Sequence, residues 1–246
     1  MTTKGKTLTP VGAGLGNGEN KPATECRIKG NIPFWLNGEV LRNGPGEFVI
    51  GPDTFKHWFD GHALIHKFTI SEGKVTYMAK FVESETYKIN HKHNRIILGG
   101  FGTACVPDPC KNIFSRFFSH FTSFPKLDNC NINLANLGNS YYALSDAAMT
   151  HRIDGETLEQ RDFLSFRDFK IYTTTAHPHY DRNGDYYNIG LNFGKYSVVR
   201  VPAESMSKED PMRDLEIHSE VPMDDRFNPG YFHSFGLSEN NFILHD

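Results

Sequence analysis

The sequence predicts an all-β fold, and three observations predict it. Short β-prone runs recur along the chain: Val75–Val82, Arg95–Leu98, Tyr141–Ser145, Met149–Ile153, Tyr186–Leu191, Ser197–Val201, Leu215–Val221 and Asn241–Leu244. Clusters of Gly, Asn and Asp separate these runs, the pattern of antiparallel sheet rather than of alternating βαβ units. A single stretch, Asp108–Phe121, carries a helical apolar period. Sandwich, barrel and propeller all stay open at this point, because a period of two is common to their strands.

Taken in order, residues 1–24 include Gly12, Gly14, Gly16 and Gly18 and read as a flexible leader. Pro33–Gly38 reads as a turn into a short strand, Glu39–Arg42, followed by a loop at Asn43-Gly44-Pro45-Gly46, with Trp35 as a packing residue. His57, His62 and His66 follow. A helix would bring His62 and His66 together, but Asp60-Gly61 signals a turn, so these read as structural histidines. In Asp108–Phe121, Asp108 can cap a helix that has Pro109 at its first position. Ile113, Phe114, Phe117, Phe118 and Phe121 then share one face, with Lys111, Arg116 and His120 elsewhere, and Pro125 limits extension. This is either a core helix or an amphipathic helix lying in a membrane interface.

Bulk properties narrow the class. The chain has 246 residues, 38% of them hydrophobic, enough for one large core. A net charge of −3 offers no argument for a nucleic-acid partner. The four cysteines, Cys26, Cys105, Cys110 and Cys130, form no CxxC, which points to a reduced, cytoplasmic setting. The sequence has no run of 18 apolar residues, and its start lacks both a signal-peptide core and an Arg-rich transit pattern.

Chemistry concentrates in Thr173–Gly190, where His177 and His179 flank Pro178 just before a turn built from Asp181, Asn183, Gly184 and Asp185. Residues two apart on a strand share a face, so both imidazoles could reach one ion; two ordinary polar histidines are the plain alternative. Pro178 has no N–H for a ladder, which puts the pair at a strand end or sheet edge. A second candidate is His233, set among Tyr231, Phe232 and Phe235. Apolar surroundings favour neutral imidazole, the metal-binding form, although a hydrogen-bonded core histidine would look the same.

Five blocks occur in one order: GNIPFWLNGEVLRNGPGEF (30–48), HWFDGHALIHKF (57–68), FGTACVPDPCKNIFSRFFSHF (101–121), TAHPHYDRNGDYYNIG (175–190) and YFHSFGL (231–237). Together they resemble the carotenoid cleavage oxygenase family, which includes the vertebrate retinoid isomerase. The resemblance implies a seven-bladed β-propeller holding Fe(II) on its axis through four histidines, with O2 as co-substrate. His177 and His233 match the first two ligands, which makes His179 a neighbour rather than a ligand. Asp146 matches the outer partner of a ligand, where the family has glutamate. Phe101 and Ser145 match tunnel-lining positions, and Cys110 matches a proposed palmitoylation site. An apolar carotenoid substrate, or a retinyl ester in the isomerohydrolase branch, and a peripheral membrane surface are the implied partners.

Two features depart from that pattern. Gly100 stands where relatives commonly carry an acidic residue before Phe-Gly-Thr. Family members are about twice as long, so residues 25–246 read as roughly the first half of the propeller, and the chain on its own as inactive or a non-catalytic lipid-binding isoform. His91, His93, His120, His151, His218 and His245 fall in no matching motif.

Overall fold

The computed structural model describes residues 17–103, 128–223, 230 and 232–245. The helix expected over 108–121, including Cys110, and most of the leader lie outside the described residues.

The chain opens with β1 (Lys21–Glu25), β2 (Gly38–Glu47), a small hairpin of β3 (Val49–Ile50) and β4 (Asp53–Thr54), and a long hairpin of β5 (His62–Ser71) and β6 (Lys74–Phe81). These long strands make an antiparallel sheet in the order β1-β6-β5-β2. The β5–β6 turn is Glu72-Gly73, with φ of 51° and 76°. Positive φ at both positions gives the turn a twist that matches the strands it joins. β2 corrects the expected short strand and loop: pairing with β5 continues through Asn43, Gly44 and Pro45, and the register slips only between Pro45 and Glu47. Pro45 fits because β2 is the sheet edge, where its missing N–H breaks no ladder.

Next comes α1 (Glu85–His93), which the sequence reading missed. Ser84 caps it by accepting from Tyr87 N, and Asn94 ends it in the left-handed region at φ 48°. The expected strand Arg95–Leu98 is a loop folded back on this helix. The Asn90 side-chain oxygen accepts from Ile97 N at 2.8 Å and from Leu98 N at 2.9 Å, replacing ladder bonds.

β7 (Asn133–Leu137), β8 (Ser140–Leu144), β9 (Met149–Asp154) and β10 (Gln160–Ser165) form a second antiparallel meander. β11 (Thr173–Thr174), β12 (His179–Tyr180), β13 (Tyr186–Asn192), β14 (Lys195–Val201) and β15 (Glu216–Pro222) form a third sheet, in which β11 and β12 both pair with β13. The hairpin of β16 (Gly236–Leu237) and β17 (Phe242–Ile243) follows. Among the described residues the fold is thus all-β with one α-helix, and no sheet closes on itself.

Apolar clusters join the sheets in chain order. Ala63, Ile65 and Val82 of the first unit pack with Ala143, Ile153 and Leu158 of the second. Leu137, Tyr142, Leu144 and Phe166 of the second pack with Tyr186, Val199 and Val201 of the third. Ile189, Tyr196 and Val198 of the third pack with Phe232 and Phe235 and, at their edge, Leu237 and Phe242. Each fully buried aliphatic side chain contributes about 1.5–3 kcal/mol, so these contacts fix how the loops at the sheet ends face one another.

Candidate metal centre

The site begins with an irregularity in strand pairing. β11 places Thr173 and Thr174 opposite Leu191 and Gly190, and β12 places His179 and Tyr180 opposite Tyr187 and Tyr186. Between these pairs β13 has two residues, Asn188 and Ile189, while the edge segment has four, 175–178. The surplus is a bulge, and Pro178 sits in it with no N–H to leave unpaired. Buried Asn188 holds the bulge: its Nδ2 donates to Thr175 O at 2.8 Å, and its Oδ1 accepts from Thr175 Oγ1 at 2.8 Å. Thr175 Oγ1 in turn accepts from His177 N at 3.1 Å.

The bulge defeats the two-residue alternation on which a His177–His179 chelate rests. His179 Nε2 donates to the Phe235 carbonyl at 2.8 Å, so that nitrogen carries a proton and has no lone pair for a metal. His177 instead meets His233. Their Nε2 atoms are 2.9 Å apart, and their rings lie 4.6 Å apart at 69°. His233 is not a core histidine: Phe232 and Phe235 are buried on either side of it, and their anchoring leaves its ring about half exposed.

Asp146 completes the arrangement. Its Oδ2 accepts from His233 Nδ1 at 2.9 Å, and its Oδ1 accepts from Ala176 N at 3.2 Å, beside His177. The shorter aspartate arm therefore reaches the imidazole. With Nδ1 donating, the His233 Nε2 lone pair faces His177. His177 is held below the usual imidazole pKa, first by burial and then by the proximity of His233, with Asp146 opposing and His179 adding to the depression. The depression favours the neutral form that coordinates metals.

The donor set fits a transition-metal ion. Two nitrogens each about 2.1 Å from an ion stand about 3.0 Å apart at a right angle and about 3.4 Å apart at the tetrahedral angle. The observed 2.9 Å, also the length of an N–H···N hydrogen bond, lets both Nε2 atoms reach one ion once the His177 proton sits on Nδ1. Among the described residues no third His, Cys, Asp or Glu ligand atom joins this pair.

A cavity of about 590 Å³ opens beside the site, with His233, Asp146 and Ser145 on one side and Phe55, Trp58, Phe59 and Phe101 on the other. Both residues matched to tunnel positions, Phe101 and Ser145, thus line it. Gly100 is part of this wall, where an added Cβ would run into the Asp60 carboxylate. Buried Asp60 accepts there from Gly102 N at 3.0 Å and from Thr103 Oγ1 at 2.5 Å, which shapes the loop carrying Phe101.

A second cluster escaped the sequence reading because its members are far apart in the chain. Glu47 Oε2 accepts from His62 Nδ1 at 2.7 Å and from His91 Nε2 at 2.8 Å. Asn90 decides its chemistry. With its oxygen committed to two backbone N–H groups, its Nδ2 donates to His62 Nε2 at 3.2 Å, so the His62 proton sits on Nδ1. That proton lies where a cation would need a lone pair, and the cluster is a closed hydrogen-bond network.

The profile of the retinal pigment epithelial membrane protein family matches residues 16–246. The chain belongs to the carotenoid cleavage oxygenase family. The human carotenoid-cleaving dioxygenase, mitochondrial, is 41% identical over 228 residues, covering 89% of this chain and 39% of that protein. The chicken beta,beta-carotene 15,15'-dioxygenase is 38% identical over 237 residues, covering 92% of the chain and 45% of that protein. The chain therefore spans less than half the length of these relatives. Among solved structures, a variant of the Synechocystis apocarotenoid oxygenase matches with a TM-score of 0.72 at 22% identity, covering 94% of this chain and 47% of that one. A cobalt-substituted form of that oxygenase gives 0.71 at 22%, with the same coverage. These structures share the all-β fold with this oxygenase-family chain.

Proposed function

We propose that this chain is part of a non-haem iron dioxygenase that cleaves a conjugated double bond of a carotenoid to two aldehyde fragments. The observation that carries the reading is the convergence of the His177 and His233 Nε2 atoms at 2.9 Å beside an aromatic-walled cavity. The names of the relatives support the substrate class. The three sheets packed in chain order support the arrangement of residues 25–246 as successive blades of a propeller.

In this reading His177 and His233 hold Fe(II), and Asp146 fixes the His233 tautomer so that Nε2 presents its lone pair. Bound iron supplies O2 activation; C=C plus O2 gives two C=O groups, which balances without a further reductant. Phe55, Trp58, Phe59 and Phe101 provide apolar surface along which a polyene lies and from which water is excluded. The remaining ligands expected of a four-histidine set are not among the described residues, so the 246-residue chain alone is expected to form no apocarotenal.

We place the protein in the cytoplasm, at a membrane surface. The aromatic pattern of residues 108–121 and the apolar substrate support this, with Cys110 as a lipidation site. Among the described residues no helix is long and apolar enough to cross a membrane.

The experiment is product identification. Iron-loaded protein, joined to a relative's remaining half, is incubated with β-carotene and separately with a retinyl ester. Aldehyde fragments from β-carotene support the dioxygenase reading. Turnover of the ester alone would overturn it in favour of an isomerohydrolase, and turnover of neither would favour a lipid-binding role.

A further inference from the structure

We infer that His179 is a positioning residue: its Nε2–H to the Phe235 carbonyl clamps the segment that delivers His233, so one His-Pro-His unit supplies a ligand and sets the distance to the next. The inference rests on the metal-centre reading proposed above. Three observations carry it. The two histidines share the edge segment of one sheet, with His179 fixed in register opposite Tyr187 while His177 stands out on the bulge. His179 Nε2 reaches Phe235 O at 2.8 Å, across 56 residues of chain, and the two rings meet edge to face at 4.7 Å. His233 lies two residues before Phe235, on a stretch with no long strand of its own; β16 holds only Gly236–Leu237. Among the described residues that stretch is fixed by Phe232 and Phe235 in the apolar cluster, by Asp146, by His177 and by this backbone clamp.

The chemistry of the clamp is specific. A carbonyl acceptor demands a donor, so His179 can be replaced only by a group that projects an N–H or O–H to the position of Nε2. Glutamine does this with Nε2, whereas leucine fills similar space with no donor. Side chains that orient a metal ligand typically change metal affinity about 10- to 100-fold when removed.

The test uses the chain joined to a relative's remaining half, as above, with cobalt(II) as the probe, followed by its visible absorption, and His233→Ala as the background for the other histidines. His179→Leu is expected to weaken cobalt binding about 10-fold or more, and His179→Gln to restore it to within about 3-fold. Hydrogen exchange of the metal-free protein gives a second readout: amides of residues 232–237 should exchange faster in His179→Leu and near the original rate in His179→Gln. Wild-type protein that binds no more cobalt than His233→Ala overturns the metal-centre reading itself. Wild-type binding with equal affinity in His179→Leu, or equal loss in both His179 variants, overturns the positioning role alone. Should His179→Leu fail to fold, unaltered exchange in folded His179→Gln together with cobalt affinity lost by more than 10-fold would likewise overturn it.

Discussion

Replacing Asp146 by alanine should release the His233 tautomer. In the structure the carboxylate accepts from His233 Nδ1 at 2.9 Å. A buried hydrogen bond to a charged group contributes about 1.5–3 kcal/mol. Here the side chains are 49% and 24% exposed, and solvent screening brings the value down to about 1 kcal/mol. At about 1.4 kcal/mol per tenfold, this is about a 5-fold bias toward the Nδ1–H form. The assay is long-range 1H–15N correlation on histidine-labelled protein at about pH 8, where an ordinary imidazole is neutral. Asp146→Ala should lower the Nδ1–H to Nε2–H ratio of His233 about 5-fold, and Asp146→Asn, which keeps a neutral acceptor, should fall between. Thr174 N donates to the backbone oxygen of residue 146, a contact that survives the substitution and keeps the bulge attached as an internal control. An unchanged tautomer ratio in a folded Asp146→Ala protein would refute the claim that Asp146 directs the His233 lone pair.

Two further predictions concern stability. Burial alone would raise the Glu47 carboxyl pKa, but hydrogen bonds from His62 and His91 outweigh it and hold the group below its ordinary value of 4.5. A depressed folded pKa gives stability that is present above the unfolded value and lost as pH falls through the folded one. Urea midpoints of wild type should therefore drop below about pH 4.5 more steeply than those of Glu47→Gln, and parallel curves would sink the argument. Gly138 has φ 61°, and a Cβ there would run into the Met206 carbonyl oxygen. Gly138→Ala should cost about 1–3 kcal/mol in urea unfolding; a neutral result would mean that the Met206 loop yields freely.

Much of the fold was legible because its signals are local. The Asp181–Asp185 turn announces itself through Asp and Gly, and the structure shows why: Asp181 Oδ1 accepts from Asn183 N and Asp185 N, and Gly184 adopts φ 90°. The strands of the second and third sheets carry runs of β-branched and aromatic residues that packing reinforces. α1 was invisible for the opposite reason. Its sequence, ETYKINHKH, has no apolar stripe, and it is held by Asn90, His91 and the Ser84 cap. Arg95–Leu98 has strand composition, yet Asn90 offers its backbone better partners than any neighbouring strand. At the site, alternation suggested that His177 and His179 act together. The four-against-two bulge that separates them depends on Asn188, a residue on the partner strand that no local pattern reveals.

The same geometry explains why the site cannot exist in any one sheet. Asp146 follows β8 in the second sheet, His177 stands on the bulge of the third, and His233 leads into the β16–β17 hairpin. Their contacts at 2.9 Å are set by two separate apolar interfaces, Leu144 and Phe166 against Tyr186 and Val199, and Ile189 and Tyr196 against Phe232 and Phe235. Shape alone does not choose a contact to a few tenths of an ångström, because packed side chains tolerate small slides. Directional bonds supply that precision: Asn188 to the bulge, Asp146 to both His233 and Ala176, and His179 to Phe235. An ion that binds only the packed arrangement must also stabilise it, by about 2.7 kcal/mol at 100 times its dissociation constant. In the metal-centre reading proposed above, metal binding at these imidazoles would therefore be coupled to the docking of the three units, with the polar clamps around the site as the means of that coupling.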